Sequence, residues 1–223
     1  MPYASSSRSP AAPFSGPCAP ALWRCEGLGH RFPGADGPLF EGLEVRIGPG
    51  ATLVRGGDGR GKTTLLRLIA GELRPQVGSV TGHAAPVFWV DPRAADGAVA
   101  PGEGDTSAAW WAGQAARWPR WSGAALAAHV AGFGLAEHAD KRMEQLSTGT
   151  RRKVLMACGF ASGAPLVLVD EPVAGLDRAS VAYLRQLLAE AAAHGPARGQ
   201  AVVVAHYDTL GGVPWSHVVE LGD

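Results

Sequence analysis

The 223-residue chain contains no asparagine. Any nucleotide-binding class that reads its base with an asparagine is therefore excluded. There are three cysteines, Cys18, Cys25 and Cys158. They form no CxxC pair and no disulfide framework, so a reducing compartment is expected. The 20 Lys and Arg are matched by 20 Asp and Glu, and the formal net charge is zero. That removes the electrostatic case for a protein that coats nucleic acid, and no nucleic-acid partner is expected. Long apolar runs are missing too. Leu166–Val169 and Ala201–Ala205 are far shorter than the roughly 20 residues that span a bilayer. Any membrane role must pass through a partner chain.

What is present is enough for a core: 46% of residues are hydrophobic, and one domain is the first expectation for this length. Residues 1–20 are rich in Pro, Ser and Ala, carry no continuous apolar stretch, and read as a disordered tail rather than a secretory signal. From residue 21 to 223 the pattern is that of one folded unit. "ALWRCEGLGHRF" and "LFEGLEVRIGPGATLVRGG" predict short strands broken by Gly and Pro turns. A helix is predicted over Thr63–Leu73, stopped by Pro75, followed by strands in "GSVTGHAAPVFWV", the second at Val87–Val90. Asp91–Gly104 reads as a loop, and Asp105–Arg117 and Ser122–Phe133 as amphipathic helices. Then come a helix to about Ala161, the strand "PLVLVD", a helix over Asp177–His194 and the strand "AVVVAH". Alternating strand and helix in the outer parts predicts an α/β fold with a parallel sheet. The helical stretch from about 92 to 160 interrupts that alternation as an inserted subdomain.

Two stretches carry the chemistry. "GGDGRGKTT" comprises Gly56, Gly57, Asp58, Gly59, Arg60, Gly61, Lys62, Thr63 and Thr64. It fits the phosphate-loop pattern G-x-x-x-x-G-K-[ST] between a strand and a helix. Glycines let the backbone curl so that its N–H groups face a phosphate, and the helix dipole adds to the attraction. Lys62 suits the β- and γ-phosphates, and the Thr63 hydroxyl suits Mg²⁺. The second stretch is "PLVLVDEP", a buried strand ending in Asp170 and Glu171. Asp170 suits Mg²⁺ through water, and Glu171 suits the general base that orients an attacking water.

These motifs, with "LSTGT" at Leu146–Thr150, "AGLD" at Ala174–Asp177 and "VVVAH" ending in His206, follow in the order of one family. From about Ala21 to Asp223 the sequence resembles the ATP-binding-cassette (ABC) ATPases. A small GTPase is disfavoured, because its NKxD motif cannot occur without Asn. The resemblance implies the ABC type of P-loop fold: a parallel sheet core, an N-terminal antiparallel β part and the helical insert. It implies two cofactors, ATP and Mg²⁺. It implies a second ABC cassette stacked head to tail, in a homodimer or heterodimer, with each ATP between the phosphate loop of one and the signature of the other. Ser147 and Gly149 would then address the partner's γ-phosphate, and Gly149 would be where backbone comes closest to phosphate. His206 would contact the γ-phosphate of its own ATP. Asp177 would join the two sites, cap the helix that follows, or both. Phe32 would stack on adenine, with a core position as the even alternative.

The sequence departs from the family in places. The usual LSGGQ signature carries Thr148 and Thr150 here, and Thr148 places a β-branched side chain where the family prefers none. The family's Mg²⁺-touching Gln after the strand before the helical insert is replaced by Asp91, with Gln114 as the rival. Asp91 is the expected substitute, bound to metal through water. Arg151, Arg152 and Lys153 put charge near a partner's ATP or line a solvated helix face. Trp110, Trp111, Trp118 and Trp121 are expected to divide between the insert's core and a face that docks on a membrane subunit. The resemblance implies the ATPase subunit of a transporter whose transmembrane permease is a separate chain, cytoplasmic and peripheral on the inner face of the membrane. The compact length is also similar to that of the ATPase of haem export in cytochrome c maturation. A soluble non-transport ABC ATPase, or a regulatory cassette with little hydrolysis, is the alternative.

Overall fold

The computed structural model describes residues 21–82, 86–89, 101, 102 and 104–222. The expected tail, Asp91 and most of the expected Asp91–Gly104 loop lie outside the described residues. In chain order the strands are β1 (Trp23–His30), β2 (Phe40–Ile47), β3 (Gly50–Arg55), β4 (Val77–Thr81), β5 (Val87–Trp89), β6 (Leu166–Asp170), β7 (Ala201–His206) and β8 (His217–Glu220). The helices are α1 (Lys62–Ile69), α2 (Ser107–Ala115), α3 (Gly123–Gly132), α4 (Thr148–Ala161) and α5 (Arg178–Arg198).

The strands form two sheets. One is antiparallel, in the order β2-β1-β4, and the other is parallel, in the order β5-β6-β7-β3-β8. The parallel sheet follows from its residues. Every residue of β6 and of β7 is buried, as the continuous apolar runs require of strands covered on both faces. Successive side chains point to opposite faces. Val167, Val169, Val202 and Val204 join a core with Trp110, Phe133, Leu135 and Leu184. Leu166, Leu168, Ala201 and Val203 join another, with Leu65, Leu66 and the antiparallel sheet. One sheet therefore separates two cores.

Several expectations change at their edges. The helix predicted to Leu73 ends at Ile69, because Gly71 takes a left-handed conformation (φ 78°), with Gly71 N–H closing on Leu68 O at 3.1 Å and Glu72 N–H on Arg67 O at 3.0 Å. Gly71, not Pro75, stops it. The helix predicted to His194 runs to Arg198 with Pro196 inside it and stops at left-handed Gly199. Strand β8 was not predicted at all. "HVVE" is only four residues long and earns its place by pairing with β3 at the sheet edge. The four tryptophans divide by burial. Trp110 and Trp111 are buried, and Trp118 and Trp121 are half-buried against the same core. Two of the four are thus core, and the other two keep part of their surface open. Among the described residues, no helix is long and apolar enough to cross a membrane.

Candidate nucleotide site

Parallel pairing brings the chemistry together. β3, β6 and β7 run side by side, so their carboxyl ends converge: Arg55 is level with His206, and Asp170 with Ala205. The phosphate loop leaves β3, the two carboxylates end β6, and His206 ends β7. Open α/β sheets bind ligands along this edge.

The loop turns into α1 at Gly61, whose φ is 92°. A Cβ there would lie 2.6 Å from Cζ of Phe40. Only glycine fits, both for conformation and for space. Lys62 opens the helix and is buried. Its Nζ donates to Gly56 O at 2.9 Å and to Gly57 O at 3.0 Å, and lies 3.5 Å from Glu171 Oε1. With Asp58 Oδ1 at 3.8 Å as well, the ammonium sits at the mouth of the loop with four oxygens around it. Thr63 Oγ1 donates to Asp170 Oδ2 at 2.7 Å. A cavity of about 300 Å³ opens here, lined by Phe32, Asp58, Lys62, Thr63, Thr64 and Glu171, among others.

Phe32 is 44% exposed and meets the His30 ring edge-on, with centroids 5.0 Å apart. Its turn is pinned from both sides. Arg31 N–H donates to Gln76 Oε1 at 2.7 Å, and Gln76 Nε2 donates back to Arg31 O at 2.9 Å. The ring is therefore held at the cavity's rim and is no core residue.

Glu171 has φ 44°, a left-handed conformation that costs a non-glycine residue about 1–2 kcal/mol. Its N–H bonds to Ala205 O at 3.0 Å, which holds that conformation. Its Oε2 is 2.8 Å from His206 Nδ1. With the proton on Nδ1, His206 donates and Glu171 accepts. This hydrogen bond is the main reason the Glu171 carboxyl lies below its ordinary value, aided by the charges of His206 and Lys62 and opposed by partial burial. Glu171 is thus an anion ready to accept a hydrogen bond. His206 is buried and does not line the cavity, so its observed contact is Glu171. Asp208 Oδ1 lies 3.5 Å from its Nε2, a neighbour that sequence reasoning passed over although it stands only two residues on.

The Thr63 hydroxyl and Asp170 carboxylate give a pair of hard oxygen donors beside the cavity. Among the described residues no three His, Cys, Asp or Glu side chains form a metal cage. Mg²⁺ needs no such cage, because it is typically held by one or two protein oxygens, phosphates and water.

Ser147, Gly149 and Asp177 do not line the cavity. They form a separate edge. Ser147 caps α4, accepting from Thr150 N–H at 3.1 Å, and its Oγ is 2.9 Å from Thr150 Oγ1. Asp177 caps α5, accepting from Ser180 N–H at 2.8 Å. Gly149 is buried against Gly175, where an added Cβ would stand 2.0 Å from the carbonyl oxygen. A neighbouring loop of the same chain therefore gives this glycine a packing reason of its own, beside the approach to a partner's phosphate expected from the sequence. Arg152 bonds to the Ala174 carbonyl, and Lys153 Nζ is 3.2 Å from Asp177 Oδ2. For Arg152 and Lys153 a solvated helix face is thus not what is observed. Gln114 is buried in α2 and is not at the cavity.

A family model described as "ABC transporter" matches residues 40–174. The chain belongs to the ABC transporter family. It is an ATPase whose turnover powers transport through a separate membrane partner. ABC relatives at this identity include the cytochrome c biogenesis ATP-binding export protein CcmA of Rhodospirillum rubrum, 37% identical over 86% of this chain and 83% of that one. The taurine import ATP-binding protein TauB of Pseudomonas entomophila is 32% identical over 75% of this chain and 67% of that one. Among solved structures, an ATP-binding subunit of an ABC transporter superposes with a TM-score of 0.67 at 19% identity, over 83% of this chain and 79% of that one. A dimeric bacterial ABC transporter cassette superposes with a TM-score of 0.66 at 17% identity, over 90% and 94%. At these identities the structural likeness concerns the ABC fold alone.

Proposed function

We propose that this ABC chain is the motor of an export system of the cytochrome c biogenesis type, acting as a dimer of cassettes at the inner face of a membrane. The 37% identity to the export protein of Rhodospirillum rubrum supports the class. The observation that carries the motor is the Glu171 carboxylate, held between Lys62 Nζ at 3.5 Å and His206 Nδ1 at 2.8 Å. ATP enters with its phosphates against Gly56–Thr64 and its base against Phe32. Lys62 turns from the loop carbonyls to the β- and γ-phosphates. Thr63 and Asp170 would hold Mg²⁺, which would supply positive charge against the phosphates. Glu171 accepts a hydrogen bond from the attacking water and orients it. His206 keeps Glu171 in place and ionised.

The exposed edge of Ser147 faces the γ-phosphate of an opposing cassette. Ser147 and Asp177 stand outside the phosphate cavity of their own chain, which supports a site completed by two chains. The test is co-purification of the tagged chain with its membrane partner, followed by Mg²⁺-dependent ATP turnover. Turnover is expected to vanish in Glu171→Gln and to require both chains for export. A wild type that binds ATP without turnover would favour a regulatory cassette. Turnover without any membrane partner would favour a soluble ATPase.

A further inference from the structure

The edge that carries Ser147 and Asp177 is built by two separate pieces of chain. One is the start of α4. The other is the loop Val173–Asp177 leading into α5. Three contacts tie them. Gly149 packs on Gly175 so closely that a methyl group would overlap the Gly175 carbonyl. Arg152 donates to the Ala174 carbonyl. Lys153, only 9% exposed, reaches Asp177 Oδ2 at 3.2 Å. Asp177 is simultaneously occupied with Ser180, whose N–H and hydroxyl both donate to it at 2.8 Å. A lysine this buried is unusual unless its charge is matched, and Asp177 matches it.

We infer that Lys153 is a positioning residue that locks the signature helix to the Val173–Asp177 loop, so that both meet an opposing cassette as one rigid edge. The role rests on the dimer reading above, but the lock itself does not. Within one chain, α4 begins with Ser147 and α5 with Asp177. Both caps are fixed by their own helices, yet nothing in either cap sets the distance between them. Lys153 spans that gap. Its charge is used inside the chain and is not offered to nucleotide. A displaced edge would misplace Ser147 and Asp177 together, and small errors in positioned groups cost turnover steeply.

The test compares the full-length Lys153→Met, Lys153→Arg, Asp177→Asn and Lys153→Met/Asp177→Asn proteins with wild type. Turnover of Lys153→Met is expected to fall about tenfold, the value of one charged hydrogen bond. KM for ATP and the nucleotide affinity of the single cassette stay within about twofold. Lys153→Arg recovers most of the loss, and the double substitution is no worse than the poorer single one. Amide hydrogen exchange of Ala174–Asp177 is faster in Lys153→Met. The inference is overturned if turnover is unchanged, if nucleotide affinity falls in proportion, or if arginine fails to recover activity. Should the wild type show no ATPase, the functional reading fails, and exchange alone decides the lock: unchanged protection at Ala174–Asp177 refutes it. If Lys153→Met does not fold, Lys153→Gln takes its place with the same expectations.

Discussion

Replacing Gly149 by alanine tests the idea that packing inside the chain, not access to phosphate, selects this glycine. The new Cβ would stand 2.0 Å from Gly175 O and 2.8 Å from Gly175 C. Both are backbone atoms and cannot rotate away. Relief to an ordinary contact needs a shift of about 1.4 Å, given that carbon–oxygen contacts settle near 3.4 Å. Overpacking of this kind costs about 1–3 kcal/mol, while alanine in a helix regains about 0.5–1 kcal/mol over glycine. Because the clash is with backbone, the upper part of that cost applies, and a net loss of about 1–2.5 kcal/mol remains, which lowers Tm by about 2–10 °C in a chain of this size. Turnover should suffer more, because a misplacement of about 1 Å in a positioned group can cost about a hundredfold. Gly113 is the control. It too lies in a helix, but nothing stands within 4 Å of its would-be Cβ. Gly113→Ala should stabilise by about 0.4–1 kcal/mol and leave turnover alone. Thermal unfolding and steady-state ATPase of the two variants settle the matter. A Gly149→Ala protein with wild-type Tm and turnover would refute the reasoning. So would one that loses turnover with no loss of stability, because the phosphate approach would then be the true constraint.

Glu171 ionises below its ordinary value in the folded chain, so its stabilising contribution is complete above about pH 4.5 and is lost as pH falls through the lower folded value. Wild type should therefore lose Tm more steeply than Glu171→Gln on acidification below pH 4.5, and parallel curves would remove the His206–Glu171 bond from the account. Phe32→Ala should weaken ATP affinity about two- to tenfold by isothermal titration, with recovery in Phe32→Trp, since an aromatic contact is worth about 0.5–1.5 kcal/mol. An unchanged affinity would mean that the base rests elsewhere. Thr63→Val and Asp170→Asn should each raise the Mg²⁺ concentration needed for half-maximal turnover, and a shift in neither would show that this oxygen pair is not the metal site.

Much of the site is legible in the one-dimensional string for a physical reason. A phosphate is cradled by consecutive backbone N–H groups, so Gly56–Thr64 must be contiguous, and a strand that ends in carboxylates must spell "LVLVDE". Buried on both faces, β6 and β7 show as unbroken apolar runs. Serine and aspartate before a helix read as caps, as Ser147 and Asp177 prove to be. Those features are local, and local sequence encodes them.

Other features are decided by residues far apart in the chain. The register of β6 against β7 sets Glu171 beside His206, 35 residues on. Lys153 meets Asp177 across 24 residues, and no helix or strand period links them. Gly149 packs on Gly175, in a loop that lies on the far side of β6 in the chain. Strand β8 is too short to announce itself and exists because β3 offers an open edge. Trp110 and Trp111 are buried because α2 packs onto the core that also covers one face of the parallel sheet, while Trp118 and Trp121, between α2 and α3, are only half-buried against it. The sequence by itself determined which chemical groups the chain owns and that phosphate is their object. Only the tertiary structure decided which of them touch, because contact energy depends on distances that chain separation does not record.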